Sequence, residues 1–496
     1  MRTARPAGQR YLAACITALC LTGCTGEYTY LPKQRESLFP RISRGVVRAE
    51  SPQSCQQALS PGRAYASYRG ALEALQQGRA IASIPHLGCL VPPAAGQRNS
   101  GDLYAQVVRE ALLPNVLHDY LQQQLQLVIA DDIRLGDRRD AGLAWPAAYL
   151  LETAVVAYRN TGETRFLDLF RQAFDQILLR RDSVTGFQDA LRQRSTHGWS
   201  SINISEEKRS NHKGKPFLVG HITHAARIVY PATEFARLMQ ENPHLTARYG
   251  ADAQRYIAAS RAAINDFDAD WKPVPGMRVP GSDRPLYWYR RPITNSLEAT
   301  NHVHMVSSTW LNLAQLTGQT SYRQKAIDSL AVFQQGVKTE RNRTVHWNYF
   351  PFFATNEQQR FANGREYSEA VWKASLTTPF IAHAQRLGLE QAKPLSAAIA
   401  HSINKEILGD GEIRRNLNSK QSRWFDPSDA KDKKQLGKIN NITYFLEYES
   451  IEPEIGRKIR QLFATRPDLL PMGWLGSPSG ALGYAHLLGP SRERQP

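Results

Sequence analysis

The sequence predicts an all-α fold: an (α/α) toroid of about six helical hairpins with long loops at one face. Three observations carry this. An apolar helix, a short Thr-Gly turn and an amphipathic helix recur in the same order along the chain. The apolar helices are long enough for burial all round, and the amphipathic ones carry a single apolar stripe, as inner and outer layers require. The connections between hairpins, residues 181–218, 270–299 and 338–366, are far longer than the tight links of an open solenoid.

The chain has 496 residues, 42% apolar and 22% charged. These are values of an ordinary globular protein and exclude wholesale disorder, a collagen-like chain and a multi-span membrane protein. It opens with a leader. Arg2, Arg5 and Arg10 make a positive start without an acid, and residues 11–21 are an apolar run too short to span a bilayer. Leu21-Thr22-Gly23-Cys24 resembles the lipobox of bacterial lipoproteins. The resemblance implies cleavage after Gly23 and acylation of Cys24, hence a membrane anchor through that lipid. Thr25 in place of an aspartate points to the outer membrane, with the protein facing the periplasm. The expected organisation is a signal peptide over 1–23, a tether and N-terminal segment over 24–100, and the toroid over 101–490.

Cys55 and Cys89 are the mature cysteines besides Cys24, and an oxidising compartment favours a bridge between them. Net charge is +17, and removal of the three leader arginines leaves +14. A periplasmic protein of this charge has no nucleic acid to meet, and its expected partner is an anionic polysaccharide. No zinc-type cysteine spacing, phosphate loop, dinucleotide fingerprint or nucleophile elbow occurs, so neither metal nor cofactor is expected. The sequence leaves the oligomeric state open.

The helices follow in order. Residues 105–127 read as an amphipathic helix broken near Pro114. Residues 143–160 read as an apolar helix, followed by Thr161-Gly162-Glu163-Thr164 and an amphipathic helix. The syntax returns in residues 302–316, Thr317-Gly318-Gln319-Thr320 and a second amphipathic helix. Gly162 and Gly318 suit helix C-caps, and Thr164 and Thr320 suit the next N-caps. Looser copies are 219–241 with 246–266 and 367–387 with 391–407, and further helices are expected near 452–465 and 478–488. Asn440 to Tyr444, with Glu447 and Glu449, is expected to complete the ring floor, and residues 438–440 read as basic loop.

The turn sequences and loop style resemble the (α/α) toroids of carbohydrate-active enzymes: N-acylglucosamine 2-epimerases, uronyl C5-epimerases, six-hairpin glycosidases and toroid polysaccharide lyases. The likeness covers residues 101–490 as a pattern. Asn301-His302 at the start of an apolar helix resembles the alginate-lyase type, in which Asn neutralises a uronate carboxylate and His or Tyr moves protons. That resemblance implies catalytic roles for Asn301 and His302, with Tyr289 and Arg290 as companions.

Other side chains are candidates from residue type and position. Trp288 offers a sugar-stacking surface and Arg291 a partner for a carboxylate. His221 opens a helix and shares a face with His224; its alternatives are substrate contact, half of a metal site or simple packing. His346, Tyr349 and Glu369 are expected around the same cavity, with Trp347 as a platform and Arg365 as a substrate contact. Glu366 and Glu369 are the available carboxylates for hydrolysis, or else the charged first turn of a helix. His304 points away from His302 and is expected to pack. Three functions follow: β-elimination or C5 epimerisation of an acidic polysaccharide, glycoside hydrolysis on the same ring, and glycan binding without catalysis in polysaccharide export or envelope assembly.

Overall fold

The computed structural model describes residues 113–135, 142–202, 218–279, 282–291, 296–355, 368–409, most of 411–465, and 478–487. The leader with Cys24, the Cys55–Cys89 pair and Arg365 lie outside the described residues.

Helices alternate between two layers. Helix α1 (Leu113–Leu135) is outer, with Pro114 in its first turn, where a missing N–H costs nothing. A π-turn at Leu143–Ala147 leads into the inner helix α2 (Ala148–Thr161). Helix α3 (Arg165–Leu178) is outer: Phe166, Phe170, Ala173, Phe174 and Ile177 are buried at helical spacing, each contributing roughly 1.5–3 kcal/mol for a large side chain. The next pairs are α4 (Ile222–Glu241) with α5 (Thr246–Asn265), and α6 (Thr300–Thr317) with α7 (Thr320–Gly336). The fourth inner element is broken into α8 (Val371–Ala374) and α9 (Thr377–Arg386), followed by outer α10 (Ala392–Ser402). A 3₁₀ segment, Leu436–Tyr448, precedes outer α11 (Pro453–Thr465), and α12 (Pro478–Leu487) is the last inner helix.

The inner layer closes. Helix α2 packs on α4, α4 on α6, α6 on α9, α9 on the 3₁₀ segment, that segment on α12, and α12 back on α2. Asn160 Nδ2 of α2 donates to the Ala485 carbonyl of α12 across the seam, 2.7 Å. Among the described residues the ring therefore has six inner segments, as an (α/α) toroid requires. The 3₁₀ segment, whose residues 438–440 read from sequence as loop, is one of them. Its Ile439, Ile442, Phe445 and Tyr448 recur every third residue and are all buried, which is the period of that helix.

The hairpin turns follow the sequence at glycine and differ at threonine. Gly162 and Gly318 have φ of 73° and 70°, the left-handed conformation that lets a helix end. Thr164 and Thr320 make no side-chain cap: Gln319, not Thr320, is the N-cap of α7. The hydroxyls that cap are Thr161 and Thr317, which accept from the backbone N–H of Glu163 and Gln319.

Inner-to-outer turns are short, and four outer-to-inner connections, 179–221, 266–299, 337–370 and 403–435, are long. The six inner N-termini therefore share one face with the long loops. Three two-stranded antiparallel sheets stiffen this face: β1 (Ser201–Ile202) with β2 (Leu218–Val219), β3 (Trp271–Arg278) with β4 (Pro285–Tyr289), and β5 (Lys338–Thr339) with β6 (Val345–His346).

The opposite half of the ring is tied by charge. Glu234 of α4 accepts from Arg159 of α2 (2.6 Å), Asn312 of α6 (2.7 Å) and Arg237 (3.2 Å), and Arg237 reaches His383 of α9 at 3.1 Å. Burial pushes the Glu234 carboxyl up, but Arg159, His383 and Arg237 together hold it far below the carboxylate range. Replacing Glu234 by Ala removes the buried carboxylate that Arg159, Arg237 and Asn312 share and leaves the two arginines only the partly exposed Glu241. The expected loss is about 3–5 kcal/mol, read as a lowered denaturant midpoint. A midpoint within error of the wild type would show that the network does not hold the helices together.

Candidate active site

The inner N-termini present their positive ends to one mouth, where an anion is favoured. On the segment between β4 and α6 is Glu298, 1% exposed. Its Oε1 accepts from His302 Nδ1 (2.8 Å), Arg291 Nη2 (3.2 Å) and the Ala299 N–H (3.1 Å), and its Oε2 accepts from His221 Nε2 (3.0 Å). Burial pushes this carboxyl up, yet Arg291, His221 and His302 overrule it and hold it well below its usual range. Glu298 is an anion, and an ionised carboxylate only accepts.

That fixes both histidine tautomers. His221, the N-cap of α4, accepts the Thr223 N–H at Nδ1 (3.3 Å), so its proton sits on Nε2 and points at Glu298. His302 lies one turn into α6 and donates from Nδ1, leaving the Nε2 lone pair as its reactive atom. Its side chain is 18% exposed, and burial lowers its proton affinity although Glu298 opposes this. His302 is thus a neutral, oriented imidazole at the mouth.

The backbone around Glu298 is pinned. Trp288 Nε1 donates to the Glu298 carbonyl (2.8 Å), and the Glu298 N–H donates to the Tyr289 carbonyl (2.9 Å). The Thr300 N–H donates to the Tyr349 carbonyl (2.9 Å), which docks the Tyr349 loop on the start of α6.

From His302 a chain of contacts runs round the mouth. Tyr349 is 6.4 Å from His302 between ring centroids, and Lys373 Nζ lies 3.8 Å over the Tyr349 ring. Burial pushes the Tyr349 hydroxyl far above its ordinary pKa, so it stays protonated. Lys373 also lies over Trp372, 5.3 Å away. Asn441 of the 3₁₀ segment donates to the Trp372 carbonyl and to the Tyr149 hydroxyl, both at 3.4 Å. On the far side Trp145 meets His224 edge-on at 6.1 Å, and His224 lies 5.0 Å from His221. Burial and the neighbouring His221 drive His224 well below the usual imidazole pKa. Trp145, His221, His224, His302, Tyr349, Trp372 and Lys373 are all half-buried, so solvent reaches this group of side chains.

The structure brings His221, Arg291, His302 and Tyr349 together and corrects several sequence expectations. Tyr289 and Trp288 are 1% and 0% exposed. Tyr289 stacks on Trp310 in the core and Trp288 holds the Glu298 backbone, so neither offers a face to a sugar. Strand pairing turns this end of β4 inward. Trp347 is buried against Phe333 and donates to Glu369, so it is no platform either. Arg290 is joined to Leu297 and Asp270 through its backbone at the edge of the hairpin. Arg291 is engaged by Glu298. His346 is buried on β6 beside Asn418 (3.3 Å), with no contact to the His302 group among the described residues. Asn301 is buried and reaches the Lys373 carbonyl (3.5 Å), a link between inner segments. His304 is sealed between Phe333 and Phe380, and burial drives its pKa down to about 3.

Glu298, Trp145 and Lys373 were missed from sequence. Glu298 had one readable signal, its place four residues before His302, which is the reach of a helical side-chain pair.

No family model and no curated protein sequence matches the chain. Among solved structures it is similar to a sugar epimerase from a ruminal bacterium, at 11% identity over 66% of this chain and 76% of that one, TM-score 0.40. It is similar to a family 76 glycoside hydrolase from a bovine Bacteroides thetaiotaomicron strain, at 13% identity over 70% and 68%, TM-score 0.41. It is similar to cellobiose 2-epimerase from Bacillus thermoamylovorans, at 14% identity over 64% and 73%, TM-score 0.37. At these scores the ring rests on the contacts between this chain's own helices.

Glu369 yields a pH-dependent prediction. It is 0% exposed, and burial lifts its carboxyl to about 8 although Trp347, Lys373 and Thr377 pull it down. A carboxyl raised in the folded state favours folding least where the unfolded chain has ionised. Wild-type stability therefore falls as pH climbs from the unfolded value near 4.3 towards about 8. Glu369→Gln keeps an acceptor for Trp347 without that penalty. It is expected to match the wild type at about pH 5 and to exceed it by several kcal/mol at about pH 9, in urea titrations at both values. An equal offset at the two pH values would show that Glu369 is ionised in the fold.

Proposed function

We propose that the chain is a carbohydrate-active acid–base enzyme that moves a proton on and off a sugar carbon next to a carboxylate or carbonyl group. The outcome on a uronate is C5 epimerisation or β-elimination. The observation that carries this reading is the Glu298–His302 pair: an ionised, sealed carboxylate holding a neutral imidazole with its Nε2 free to take a proton.

In this mechanism His302 Nε2 abstracts the proton. In epimerisation a group that still holds a proton, the Tyr349 hydroxyl, returns one to the carbon, after which tyrosinate and imidazolium are reset through solvent. The negative charge that develops on the substrate faces the positive ends of the inner helices. Imidazolium formed at His302 is stabilised by Glu298 through Nδ1. The Tyr349 hydroxyl, kept protonated by burial and neighboured by Lys373, supplies a proton to the leaving oxygen in elimination. His224, a neutral imidazole on the other side of His221, adds no positive charge beside the base. A general base in this position contributes about 10²–10⁴-fold in rate.

Hydrolysis fits less well. It needs two carboxyl groups facing the substrate. Glu298, Glu369 and Glu152 are 1%, 0% and 6% exposed, and Glu298 is saturated with partners. Anchoring by Cys24, a periplasmic face at the outer membrane and an acidic polysaccharide as substrate belong to the same proposal. Their support is the leader, the Leu21-Thr22-Gly23-Cys24 box and the basic charge of the chain.

The test is incubation of the soluble chain, lacking residues 1–24, with uronate polysaccharides in heavy water. The expected result is deuterium at C5 if the sugar is epimerised, or ultraviolet absorbance from unsaturated ends if elimination follows. His302→Ala should lose about 10²–10⁴-fold in that rate, and Glu298→Gln a substantial part of it. New reducing ends without deuterium or ultraviolet absorbance would make the chain a hydrolase. Tight glycan binding without turnover would make it a binding lipoprotein.

A further inference from the structure

One turn below the rim the chemistry changes. Arg227 lies three residues after His224 on α4, and Met305 three residues after His302 on α6, so both sit about 4.5 Å deeper along the axis. Arg227 Nη1 reaches Met305 Sδ at 3.5 Å and Glu152 Oε2 of α2 at 3.2 Å. The same Glu152 oxygen accepts from Tyr444 of the 3₁₀ segment at 2.8 Å. The guanidinium lies 4.3 Å over the Tyr149 ring and 5.8 Å from Trp145.

Arg227 is 1% exposed, yet its Nε and Nη2 have no hydrogen-bond partner among the described residues. Buried donors without acceptors are costly, and a guanidinium normally spends all its N–H groups. The two idle nitrogens form one edge of the fork, the edge that takes a carboxylate through two parallel hydrogen bonds. Close by, Asn441 leaves its Oδ1 unpartnered while its Nδ2 holds the Tyr149 hydroxyl. The carboxylate of Glu234, deeper in the ring, meets Arg159, Arg237 and Asn312 at once. The Glu234 layer leaves single atoms unpartnered, Arg237 Nε and His383 Nδ1, whereas Arg227 leaves a whole guanidinium edge, and it lies on the substrate side.

We propose that Arg227 is the specificity residue for an acidic sugar: its Nε–Nη2 edge binds the substrate carboxylate while the sugar ring lies at His302. This rests on the acid–base reading above and deepens it. A carboxylate borne by the ring carbon, with a hydrogen bond of about 2.8 Å from its oxygen, spans a depth of about 4.5 Å. Arg291, the guanidinium expected from sequence to do this, is engaged by Glu298. Trp145 touches both His224 at the rim and Arg227 beneath it, so it is the side chain that turns aside to admit the acid. A sugar hydroxyl meets Asn441 Oδ1.

The experiment is a set of binding titrations on the intact chain, followed by calorimetry. The probes are D-glucuronate, D-galacturonate and D-mannuronate against D-glucose, D-galactose and D-mannose, pairs that differ only in the carboxylate. At least one acid is expected to bind ten times or more tighter than its neutral partner. Arg227→Gln should erase the preference, Arg227→Lys should keep part of it, and Glu152→Gln should strengthen it by freeing the guanidinium. Equal binding of acid and neutral sugars, no binding of any acid, or a preference that survives in Arg227→Gln overturns the proposal. Thermal melts check folding, and Glu152→Gln decides the matter if Arg227→Gln does not fold: a preference unchanged there also overturns it. The same titrations in His302→Ala separate the two readings. An acid preference retained without proton exchange leaves Arg227 standing and is independent of the base. Proton exchange in the wild type without acid preference removes Arg227 alone.

Discussion

A buried carboxylate that cannot be allowed to stand alone organises this protein. Desolvating an anion costs several kcal/mol unless hydrogen bonds and opposite charge replace the lost water. Glu298 is supplied with Arg291, two imidazole N–H groups and a backbone N–H, drawn from β4's exit, the start of α4 and the first turn of α6. Each partner is thereby constrained. His221 is locked into one tautomer as an N-cap, His302 into the other with a free nitrogen outward, and Arg291 is taken from substrate duty. The rigidity of the mouth and the chemistry of its base have one origin.

The ring explains why this is affordable. Six inner segments running the same way concentrate positive backbone ends on one face, so an anion is favoured there before any side chain is placed. The opposite half lacks that field and balances its own carboxylate, Glu234, with Arg159 and Arg237. Between the two, Arg227 and Glu152 share one contact and leave guanidinium donors unused. Between two carboxylates that each have several partners, this middle layer carries a whole guanidinium edge unused among the described residues.

Much of the architecture was legible because helices announce themselves locally. Glycines with left-handed φ at 162 and 318 mark turns that any sequence reader meets, and the stripe of Phe166, Phe170, Phe174 and Ile177 fixes an outer helix. The 3₁₀ segment was not legible: its apolar residues repeat every third position, which a search at helical or strand periods passes over. The site was legible in residue type and only partly in direction. His302, His221 and Tyr349 carry chemistry wherever they lie, but whether Trp288, Tyr289 and Trp347 face sugar or core depends on strand register and tertiary packing, which composition does not encode. Glu298 was hidden because a single acid before a helix reads as a charged first turn.

The central claim is that Glu298, ionised, holds His302 in the Nδ1–H tautomer with Nε2 unprotonated. Nitrogen NMR of histidine-labelled protein at neutral pH, with His302→Gln to assign the resonance, measures this directly. The account predicts a protonated Nδ1 and a bare Nε2 for His302, and loss of that fixed tautomer in Glu298→Gln. A His302 found as the Nε2–H tautomer, or unchanged when Glu298 is replaced, would contradict it.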